Sequence, residues 1–370
     1  MNLTLLKNCK FYQTDILLED QEILIDEKTI LAVGKAIPVN ENIKALDLEH
    51  HLITPGFVDL QVNGGKQVFF NNNISVEALA QILQAHEEKG TRYLLPTLIS
   101  SESANILKAL EVVAEAMHQH PGILGLHLEG PFLNPGKHGG HNPKNIRKPV
   151  NTELDAIISR GAGVLKIVTI APEIFSREQL LKLLEQDFVV SAGHSNATYE
   201  QAQAFFAMGG SCVTHLYNAM SSFQHREPGL TGAALSSPVY AGIIVDGVHS
   251  HYSAVKMAYE LKKEKLFLIS DASFIGLEQD EISFEGTSIH KKRGQFYTAG
   301  GNLAGSSITL HDALQNLVKS VGISLPVAIR MATEIPARLL GLEQRIGRIA
   351  VGNSSKLNVL DDALNLVQKI

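Results

Sequence analysis

The sequence predicts an α/β protein with a (β/α)8 TIM-like barrel and a small β-sandwich domain built from both chain ends. Apolar runs that resemble strands alternate with helical patterns through residues 54–340, which predicts parallel strands connected by right-handed crossovers. Short β-like segments fill residues 1–53 and 341–370, so we assign these two ends to the small domain. A chain of 370 residues, 45% of them hydrophobic, is long enough to bury both cores.

The small domain is predicted from short apolar segments that polar turns separate. On its N-terminal side we expect β structure over Leu3–Leu6, Phe11–Leu18, Gln21–Asp26 and Thr29–Val33. Two similar segments follow near the other end of the chain, Gly347–Gly352 and Leu357–Leu360. The sequence stops soon after the second of these, which leaves a last strand of the small domain undecided.

The barrel is predicted from apolar runs whose number comes close to the eight strands of a closed (β/α)8 barrel. The predicted strands are Phe57–Val62, Tyr93–Thr97, Gly122–Leu128, Val164–Ile170, Val189–His194, Ser211–His215, Tyr240–Val245 and Leu266–Ser270. Helical patterns lie between most of them, for example Val76–Lys89, Ala104–His118 and Arg177–Glu185. Two further predicted helices follow the last strand, Ser307–Val321 and Pro326–Leu340.

Composition and charge restrict the class of protein. A formal charge of -6 and a pI near 6.2 do not provide the basic surface that nucleic-acid-binding proteins need. No apolar stretch approaches about 20 residues and the N-terminus lacks a signal-peptide pattern, so we expect no membrane partner. Cys9 and Cys212 are too few for a disulfide framework or a cysteine zinc site. We therefore expect a cytoplasmic protein.

Four ionisable residues stand at the ends of predicted strands: Glu129, His194, His215 and Asp271. The carboxyl ends of parallel barrel strands meet at one mouth, where barrels of this kind place their chemistry. One carboxylate and two imidazoles suit zinc with an open coordination position, and a further aspartate can manage protons. His127 points to the same side of its strand as Glu129, and we expect it to be a packed residue.

Motifs around these residues extend over nearly the whole chain. They are Pro55–Asp59, Leu126–Asn134, Gly140–Pro143, Ala192–Ala197, Thr214–Met220, Arg226–Gly229, Val245–His249, Ser270–Ala272, Leu303–Ser307 and Met331–Ala337. Together they resemble the motifs of the N-acetylglucosamine-6-phosphate deacetylases, a family of the amidohydrolase superfamily. The motif Pro-Gly-Phe-x-Asp by itself marks only the superfamily.

The resemblance implies a role for each matching residue. Glu129, His194 and His215 are the implied metal ligands, and Asp271 is the implied general base and acid. His141 is the implied substrate contact that also polarises the scissile carbonyl. A metal-bound water with a lowered pKa is a competent nucleophile for an unactivated amide, provided that the aspartate is ionised to take its proton.

Substrate contacts are implied in the same way. The backbone at Asn218 and Ala219, with Arg226, is the implied phosphate cradle, because a phosphate favours a guanidinium and converging amides. His249 is implied to reach the phosphate in the neighbouring subunit's site, which implies a homodimer or a higher homo-oligomer. The remaining implied substrate contacts are Gly140, Leu303 and Ala304. His138 lies near the His141 loop and has little support as a substrate contact.

One departure from the superfamily pattern concerns the metal. The first barrel strand of the superfamily usually ends in His-x-His, which holds a second metal, whereas this chain has Gln61-Val62-Asn63. Amide side chains bind divalent metals poorly by comparison, and Lys166 lies too early in its strand to bridge two metals. Some deacetylases of the family carry the same Gln-x-Asn. We therefore expect one divalent metal per subunit, Zn²⁺ first, with Fe²⁺, Co²⁺ and Mn²⁺ as alternatives.

The function that the resemblance implies is hydrolysis of N-acetylglucosamine 6-phosphate to glucosamine 6-phosphate and acetate, in amino-sugar catabolism. One alternative is a deacetylase for a related N-acetylhexosamine phosphate, or another amidohydrolase such as a cyclic-amide hydrolase. Arg226 with Asn218 and Ala219 favours a phosphosugar, because a cyclic amide needs no phosphate cradle. A catalytically silent scaffold with the same fold is the other alternative, against which stands the intact set of four strand-end residues.

Overall fold

The computed structural model describes residues 2–40, 43–273, 275, 281–284, 287–292, 295–298, 300–301 and 303–370. The strands within these residues are, in chain order, β1 (Thr4–Gln13), β2 (Ile16–Ile25), β3 (Ile30–Gly34), β4 (Lys44–Asp47), β5 (Leu52–Pro55), β6 (Phe57–Val62), β7 (Gly64–Gly65), β8 (Val68–Phe69), β9 (Thr91–Ile99), β10 (Leu126–Glu129), β11 (Leu165–Ile170), β12 (Val189–Ala192), β13 (Cys212–Val213), β14 (Tyr240–Ile243), β15 (Leu266–Leu268), β16 (Glu281–Phe284), β17 (Thr287–Lys292), β18 (Gln295–Thr298), β19 (Leu357–Leu360) and β20 (Leu366–Lys369).

The described α-helices are α1 (Val76–Glu87), α2 (Ser103–Gln119), α3 (Asn151–Gly161), α4 (Arg177–Leu184), α5 (Tyr199–Ala207), α6 (Gly229–Ser236), α7 (Tyr252–Lys262), α8 (Leu310–Asn316), α9 (Leu325–Ala332) and α10 (Glu334–Leu339). A π-helical segment, Leu317–Val321, continues α8. Within the described ranges, no helix combines the length and the apolar character that crossing a membrane requires.

Eight of the described strands form one parallel sheet in the order β15-β14-β13-β12-β11-β10-β9-β6. Two backbone hydrogen bonds bring its edges together: Asp271 N–H donates to the Gln61 carbonyl at 3.0 Å, and Asn63 N–H donates to the Ala272 carbonyl at 2.9 Å. The sheet is therefore a nearly closed barrel, which confirms the predicted (β/α)8 fold. All eight predicted strands are present, although several are shorter than the apolar runs that predicted them.

The predicted helix Pro326–Leu340 consists of two helices, α9 and α10. They are separated at Thr333, whose φ of -134° and ψ of -78° lie outside the helical region. Pro336 explains the break, because proline has no N–H to donate and its ring clashes with the carbonyl four residues earlier, at Ala332.

Strands from both chain ends form a seven-stranded sheet, in the order β20-β19-β5-β1-β2-β3 with β4 beside β1. The sheet confirms that a small β unit draws on both ends, and it includes the last strand, β20, that the sequence left undecided. The predicted strand Gly347–Gly352 is wrong. Its first and last glycines have φ values of 87° and 90°, which extended strands do not adopt. The predicted domain limits, residues 1–53, 54–340 and 341–370, remain predictions.

Strands β16, β17 and β18 form a small antiparallel sheet between the last barrel strand and α8, which the sequence analysis missed. Two of its side chains, Ile289 and Phe296, pack with Phe69, Ile99 and Ala304 in an apolar cluster that is separate from the barrel core. Ile99 is the last residue of β9, so this cluster lies at the mouth where the barrel strands end.

A buried lysine holds the C-terminal end of α6. Lys262 Nζ donates hydrogen bonds to the carbonyl oxygens of Ala234 at 2.7 Å and Ser237 at 2.5 Å. Burial lowers the pKa of Lys262 to about 8, so the side chain stays mostly charged at neutral pH. A cation is favourable at this end of a helix, where the last carbonyls lack helical partners.

Candidate active site

The four strand-end residues predicted from the sequence meet in one buried cluster at the barrel mouth. Glu129 is the last residue of β10, His194 and His215 follow β12 and β13 by two residues, and Asp271 follows β15 by three. The last three have φ values of 47°, 31° and 49°, a left-handed conformation that is uncommon outside glycine. Such backbone strain concentrates at functional sites, and here it turns the chain sharply just after each strand ends.

Three donor atoms in this cluster have the spacing of metal ligands. His215 Nε2 lies 2.9 Å from Glu129 Oε1 and 3.0 Å from His194 Nε2, and His194 Nε2 lies 3.3 Å from Glu129 Oε1. Tetrahedral zinc with bonds of about 2.0–2.1 Å separates its ligand atoms by about 3.3–3.4 Å, close to these values. Two imidazole nitrogens 3.0 Å apart cannot both carry a proton, so this pair must present at least one lone pair.

The ionisation of Glu129 and the hydrogen bond of His194 also fit a cation. His194 Nδ1 is 2.8 Å from the Lys137 carbonyl oxygen and must donate its proton there, which leaves a lone pair on Nε2 in the neutral ring. Burial alone would raise the pKa of Glu129, but its contacts with His194 and His215 hold it well below the usual range. A carboxylate and a neutral imidazole are the protonation states that a divalent metal requires.

His141 is a geometric alternative to His215 as a ligand, because donor atoms of Glu129, His141 and His194 lie within 4.8 Å of one another. Its hydrogen bonds argue against that role. Ser100 N–H donates to His141 Nδ1 at 3.2 Å, so the proton of the neutral ring is on Nε2. Burial lowers the pKa of His141 well below its usual value and keeps the ring neutral. His141 Nε2 is therefore a hydrogen-bond donor at the site.

Asp271 is held by two amide side chains. Its Oδ1 accepts hydrogen bonds from Asn63 Nδ2 at 2.6 Å and from Gln61 Nε2 at 3.1 Å. The same Gln61 nitrogen also donates to Glu129 Oε1 at 3.1 Å, so one amide lies between the two carboxylates. Burial raises the pKa of Asp271 to about 6, and the charge of Glu129 adds to this effect. Such a carboxyl group can gain and lose a proton near neutral pH.

Three buried hydroxyl groups and His127 form a connected network of hydrogen bonds. His127 Nδ1 donates to the Leu60 carbonyl at 3.0 Å, and its Nε2 is 2.8 Å from Thr169 Oγ1. Thr214 Oγ1 lies 2.6 Å from Thr169 Oγ1 and 2.7 Å from Ser191 Oγ. Burial lowers the pKa of His127 to about 4, so the ring is neutral. The structure therefore places His127 as a packed residue that supports the strand of Glu129, as the sequence predicted.

A cavity of about 390 Å³ opens onto the cluster, a size typical of small-molecule sites. Its wall contains the three metal-ligand candidates, Asp271 and His141. It also contains every other predicted substrate contact apart from Arg226, namely Gly140, Asn218, Ala219, His249, Leu303 and Ala304. The sequence analysis missed further wall residues, among them Phe69, Ile99 and Ile289, because an apolar residue carries no chemical signal in a sequence.

His249 is fixed in the wall by a neighbouring carboxylate. Its Nδ1 donates to Asp246 Oδ2 at 2.7 Å, and both side chains are buried. Burial alone would raise the pKa of Asp246, but the bond from His249 lowers it. The structure places His249 in the cavity of its own chain, so its predicted reach into a neighbouring subunit stays a prediction.

The predicted phosphate cradle is assembled in part. Asn218 N–H is bonded to the His215 carbonyl at 2.9 Å, whereas for Ala219 N–H no bond is found within the described residues. Arg226 is exposed and lies outside the cavity wall, on a loop whose Phe223 is 60% exposed. Within a single copy of the chain, the Ala219 amide therefore lies at the cavity and Arg226 does not.

The chain is similar to known proteins along nearly its full length, and the model of the amidohydrolase family matches residues 52–369. The chain belongs to the amidohydrolase family. The N-acetylglucosamine-6-phosphate deacetylase of Haemophilus influenzae is 38% identical over 95% of this chain and 93% of its own. The N-acetylgalactosamine-6-phosphate deacetylase of a Shewanella species is 37% identical over 85% of this chain and 82% of its own.

Solved structures agree with this membership. The crystal structure of N-acetylglucosamine-6-phosphate deacetylase from Pasteurella multocida matches with a TM-score of 0.96 at 33% identity, covering 100% of this chain and 98% of that one. A Mycobacterium smegmatis deacetylase, solved as an aspartate-to-alanine mutant with N-acetyl-D-glucosamine-6-phosphate, matches with a TM-score of 0.92 at 29% identity over the same shares. The resemblance predicted from the motifs is confirmed, and with it the assignment as an amide-hydrolysing deacetylase that has a candidate site for a divalent metal.

The distances allow either His215 or His141 as the third ligand, and measuring which variant keeps its metal distinguishes these two possibilities. We expect His215→Ala to lose its metal on dialysis, because it removes a ligand, and His141→Ala to retain it, because Nε2 of His141 carries a proton. Elemental analysis of the dialysed variants measures this, with His311→Ala as a control away from the cluster. Loss of metal from His141→Ala and retention by His215→Ala would contradict the assignment.

Proposed function

We propose that the chain hydrolyses the acetamide of N-acetylglucosamine 6-phosphate to glucosamine 6-phosphate and acetate. The observation that carries this proposal is the convergence of a metal-ligand set, a carboxyl group with a pKa near 6 and an imidazole N–H donor in one cavity. Hydrolysis of an unactivated amide can be catalysed by a bound metal, a base and a hydrogen-bond donor to the oxyanion. The relatives and solved structures that carry this activity in their names support the substrate.

We propose that Glu129, His194 and His215 hold one divalent metal, Zn²⁺ in the first place. Mixed carboxylate and imidazole ligands suit zinc, and three protein ligands leave a position open for chemistry. When bound, the metal polarises the scissile carbonyl and lowers the pKa of a coordinated water. Gln61 and Asn63 supply amide donors where a second metal would need imidazoles, which supports a count of one per chain.

Asp271 is the proposed proton carrier. It takes a proton from the attacking water and returns it to the amine as the carbon–nitrogen bond breaks, so the carboxyl group ends the reaction as it began. It must be ionised at the start, and a nearby cation would lower its pKa from about 6. Asn63 and Gln61 orient its Oδ1 through their hydrogen bonds.

His141 is the proposed electrophilic group. A neutral ring with its proton on Nε2 can donate to the carbonyl oxygen of the substrate as negative charge develops there. The ring is held at Nδ1 by Ser100, whose N–H is 3.2 Å away and whose Oγ is 2.8 Å away. These two contacts fix both the tautomer and the direction of the donor.

For the phosphate we propose the Ala219 amide and His249 within the chain. Their position in the cavity wall and the fixed His249–Asp246 pair support this. Arg226 reaches a phosphate, under this proposal, only when a second copy of the chain supplies it, which makes the active species a homodimer or a larger assembly. A phosphosugar substrate and two buried free cysteines fit a reducing cytoplasm and a place in amino-sugar catabolism.

N-acetylgalactosamine 6-phosphate is a second candidate substrate, because two relatives named as its deacetylases are 37% and 32% identical to this chain. An acetate-release assay with both epimers, and with unphosphorylated N-acetylglucosamine, tests the proposal. We expect the highest kcat/KM for N-acetylglucosamine 6-phosphate. A higher value for the galacto epimer would move the chain to the second candidate, and no acetate from any of them would contradict hydrolysis.

Removing the proposed base should stop turnover without emptying the metal site. We expect Asp271→Asn to lower kcat by about 10² to 10⁴ or more, because a neutral amide cannot accept the proton. Metal content should equal that of the wild type. Asp155→Asn, which removes an exposed carboxylate paired with Lys182, is the matched control and should be fully active. Turnover of Asp271→Asn within a few-fold of wild type would contradict the role.

Phosphate recognition is tested by comparing substrates with and without the phosphate. We expect His249→Ala and Arg226→Ala to raise KM for the phosphorylated sugar much more than for the unphosphorylated one, because each removes a positive or hydrogen-bonding group. His225→Ala, beside Arg226 on the same exposed loop, is the control. Sedimentation gives the assembly state: a fully active monomer would exclude any contact that a second copy supplies.

A further inference from the structure

One side of the active-site cavity is apolar, and neither the fold nor the proposed mechanism explains it. Phe69, Ile99, Ile289 and Ala304 line the cavity and belong to the cluster at the barrel mouth, in which each is at most 6% exposed. The rest of the described wall is rich in polar groups such as Asn218 and His249. A polar metabolite with one apolar substituent would bring that substituent to this side.

The apolar side is adjacent to the group that polarises the carbonyl. Ile99 precedes Ser100, whose N–H and Oγ both contact His141 Nδ1, at 3.2 Å and 2.8 Å. On the other side, a Cβ placed on Gly140 would lie 3.3 Å from Ala304 Cα, so the peptide before His141 packs directly against Ala304. Ile99 is thus next in the chain to a residue that contacts His141, and Ala304 packs against the residue that precedes His141.

The position of these apolar residues near His141 determines which part of a bound substrate they would contact. If His141 Nε2 donates to the carbonyl oxygen, the carbon chain of the acyl group begins one bond away from the atom that the imidazole polarises. The methyl group is the only apolar substituent at that carbon in an N-acetyl sugar. Burying it against aliphatic side chains is favourable, because apolar surface is removed from water.

Contacts from the small sheet of β16, β17 and β18 close this side. Ile289 lies on β17 and Phe296 on β18, and both are 1% exposed. Ala304 N–H donates to the Phe296 carbonyl at 3.0 Å, and Tyr297 pairs with Leu303, so the segment carrying Ala304 is bonded to the sheet. A wall packed in this way has little room to expand, and overpacking a well-packed site is unfavourable.

We propose that Ile99, Ile289 and Ala304 form an acyl pocket that accepts an N-acetyl group and discriminates against longer N-acyl chains. The inference rests on the proposed function and adds the substrate range: 6-phosphorylated N-acylhexosamines with short acyl groups. One methylene too many in a hydrophobic pocket changes kcat/KM by about 10- to 200-fold, so the N-propionyl and N-butyryl sugars should be progressively poorer substrates.

The test is a series of glucosamine 6-phosphates that carry N-acetyl, N-propionyl and N-butyryl groups, with the glucosamine 6-phosphate product measured. The probe variants are Ile99→Ala and Ile289→Ala, which enlarge the pocket from two different elements, and Ala304→Val, which narrows it. Ile123→Ala removes the same atoms from the barrel core, at a residue outside the cavity wall, and controls for general loss of stability. Thermal unfolding and metal content show that each variant is folded.

We expect the butyryl-to-acetyl ratio of kcat/KM to rise about tenfold or more in Ile99→Ala or Ile289→Ala, to fall in Ala304→Val, and to stay at the wild-type value in Ile123→Ala. Equal efficiency of the wild type on all three sugars would overturn the acyl pocket while leaving the proposed function in place. So would unchanged ratios in the enlarged variants that fold, which would assign the apolar wall to the sugar ring. Absence of cleavage of the N-acetyl sugar by the wild type would instead overturn the proposed function.

Discussion

The amide of Gln61 is the contact on which the site depends. Its nitrogen lies 3.1 Å from an oxygen of Glu129 and 3.1 Å from an oxygen of Asp271, between two buried carboxyl groups that would otherwise repel each other. Asn63 adds a second donor to Asp271 at 2.6 Å. The two carboxyl groups nevertheless differ: contacts with His194 and His215 keep Glu129 ionised, whereas burial and the charge of Glu129 raise the pKa of Asp271 to about 6, so that Asp271 can exchange a proton. When the pKa values of two carboxyl groups are shifted apart in this way, one can act as an acid–base group while the other stays charged.

The same strand also completes the barrel. The carbonyl oxygen of Gln61 accepts the N–H of Asp271, and the N–H of Asn63 donates to the carbonyl of Ala272, at the seam between the first and last barrel strands. The main chain of Gln61 and Asn63 thus positions Asp271, and their side chains orient its Oδ1. A substitution there would change the closure of the barrel and the chemistry of its mouth together. Asp271 is therefore held at the seam by main-chain and side-chain bonds together, and not on a free loop.

The sequence predicted the parts of this account that depend on local pattern. Alternating strands and helices gave the barrel, and the polar residues that end apolar strands, Glu129, His194, His215 and Asp271, meet as predicted because parallel strands end at one mouth. Contacts between distant segments were not predictable. The tautomer of His141 depends on Ser100, 41 residues away along the chain. The apolar wall of the cavity depends on a small sheet with no distinctive sequence pattern. The exposure of Arg226 depends on how its loop folds. Gly347–Gly352 was predicted as a strand from its apolar residues, although its terminal glycines adopt left-handed conformations.

We propose that amide donors from Gln61 and Asn63 take the place of a second metal. Elemental analysis of active enzyme, after dialysis against metal-free buffer, tests it most directly. Neutral amides offer weak oxygen ligands, and the nitrogens of both are committed to carboxylates, so we expect about one tightly bound divalent metal per chain, with activity lost on chelation and restored by zinc. Two tightly held metals per chain in fully active enzyme would contradict the account.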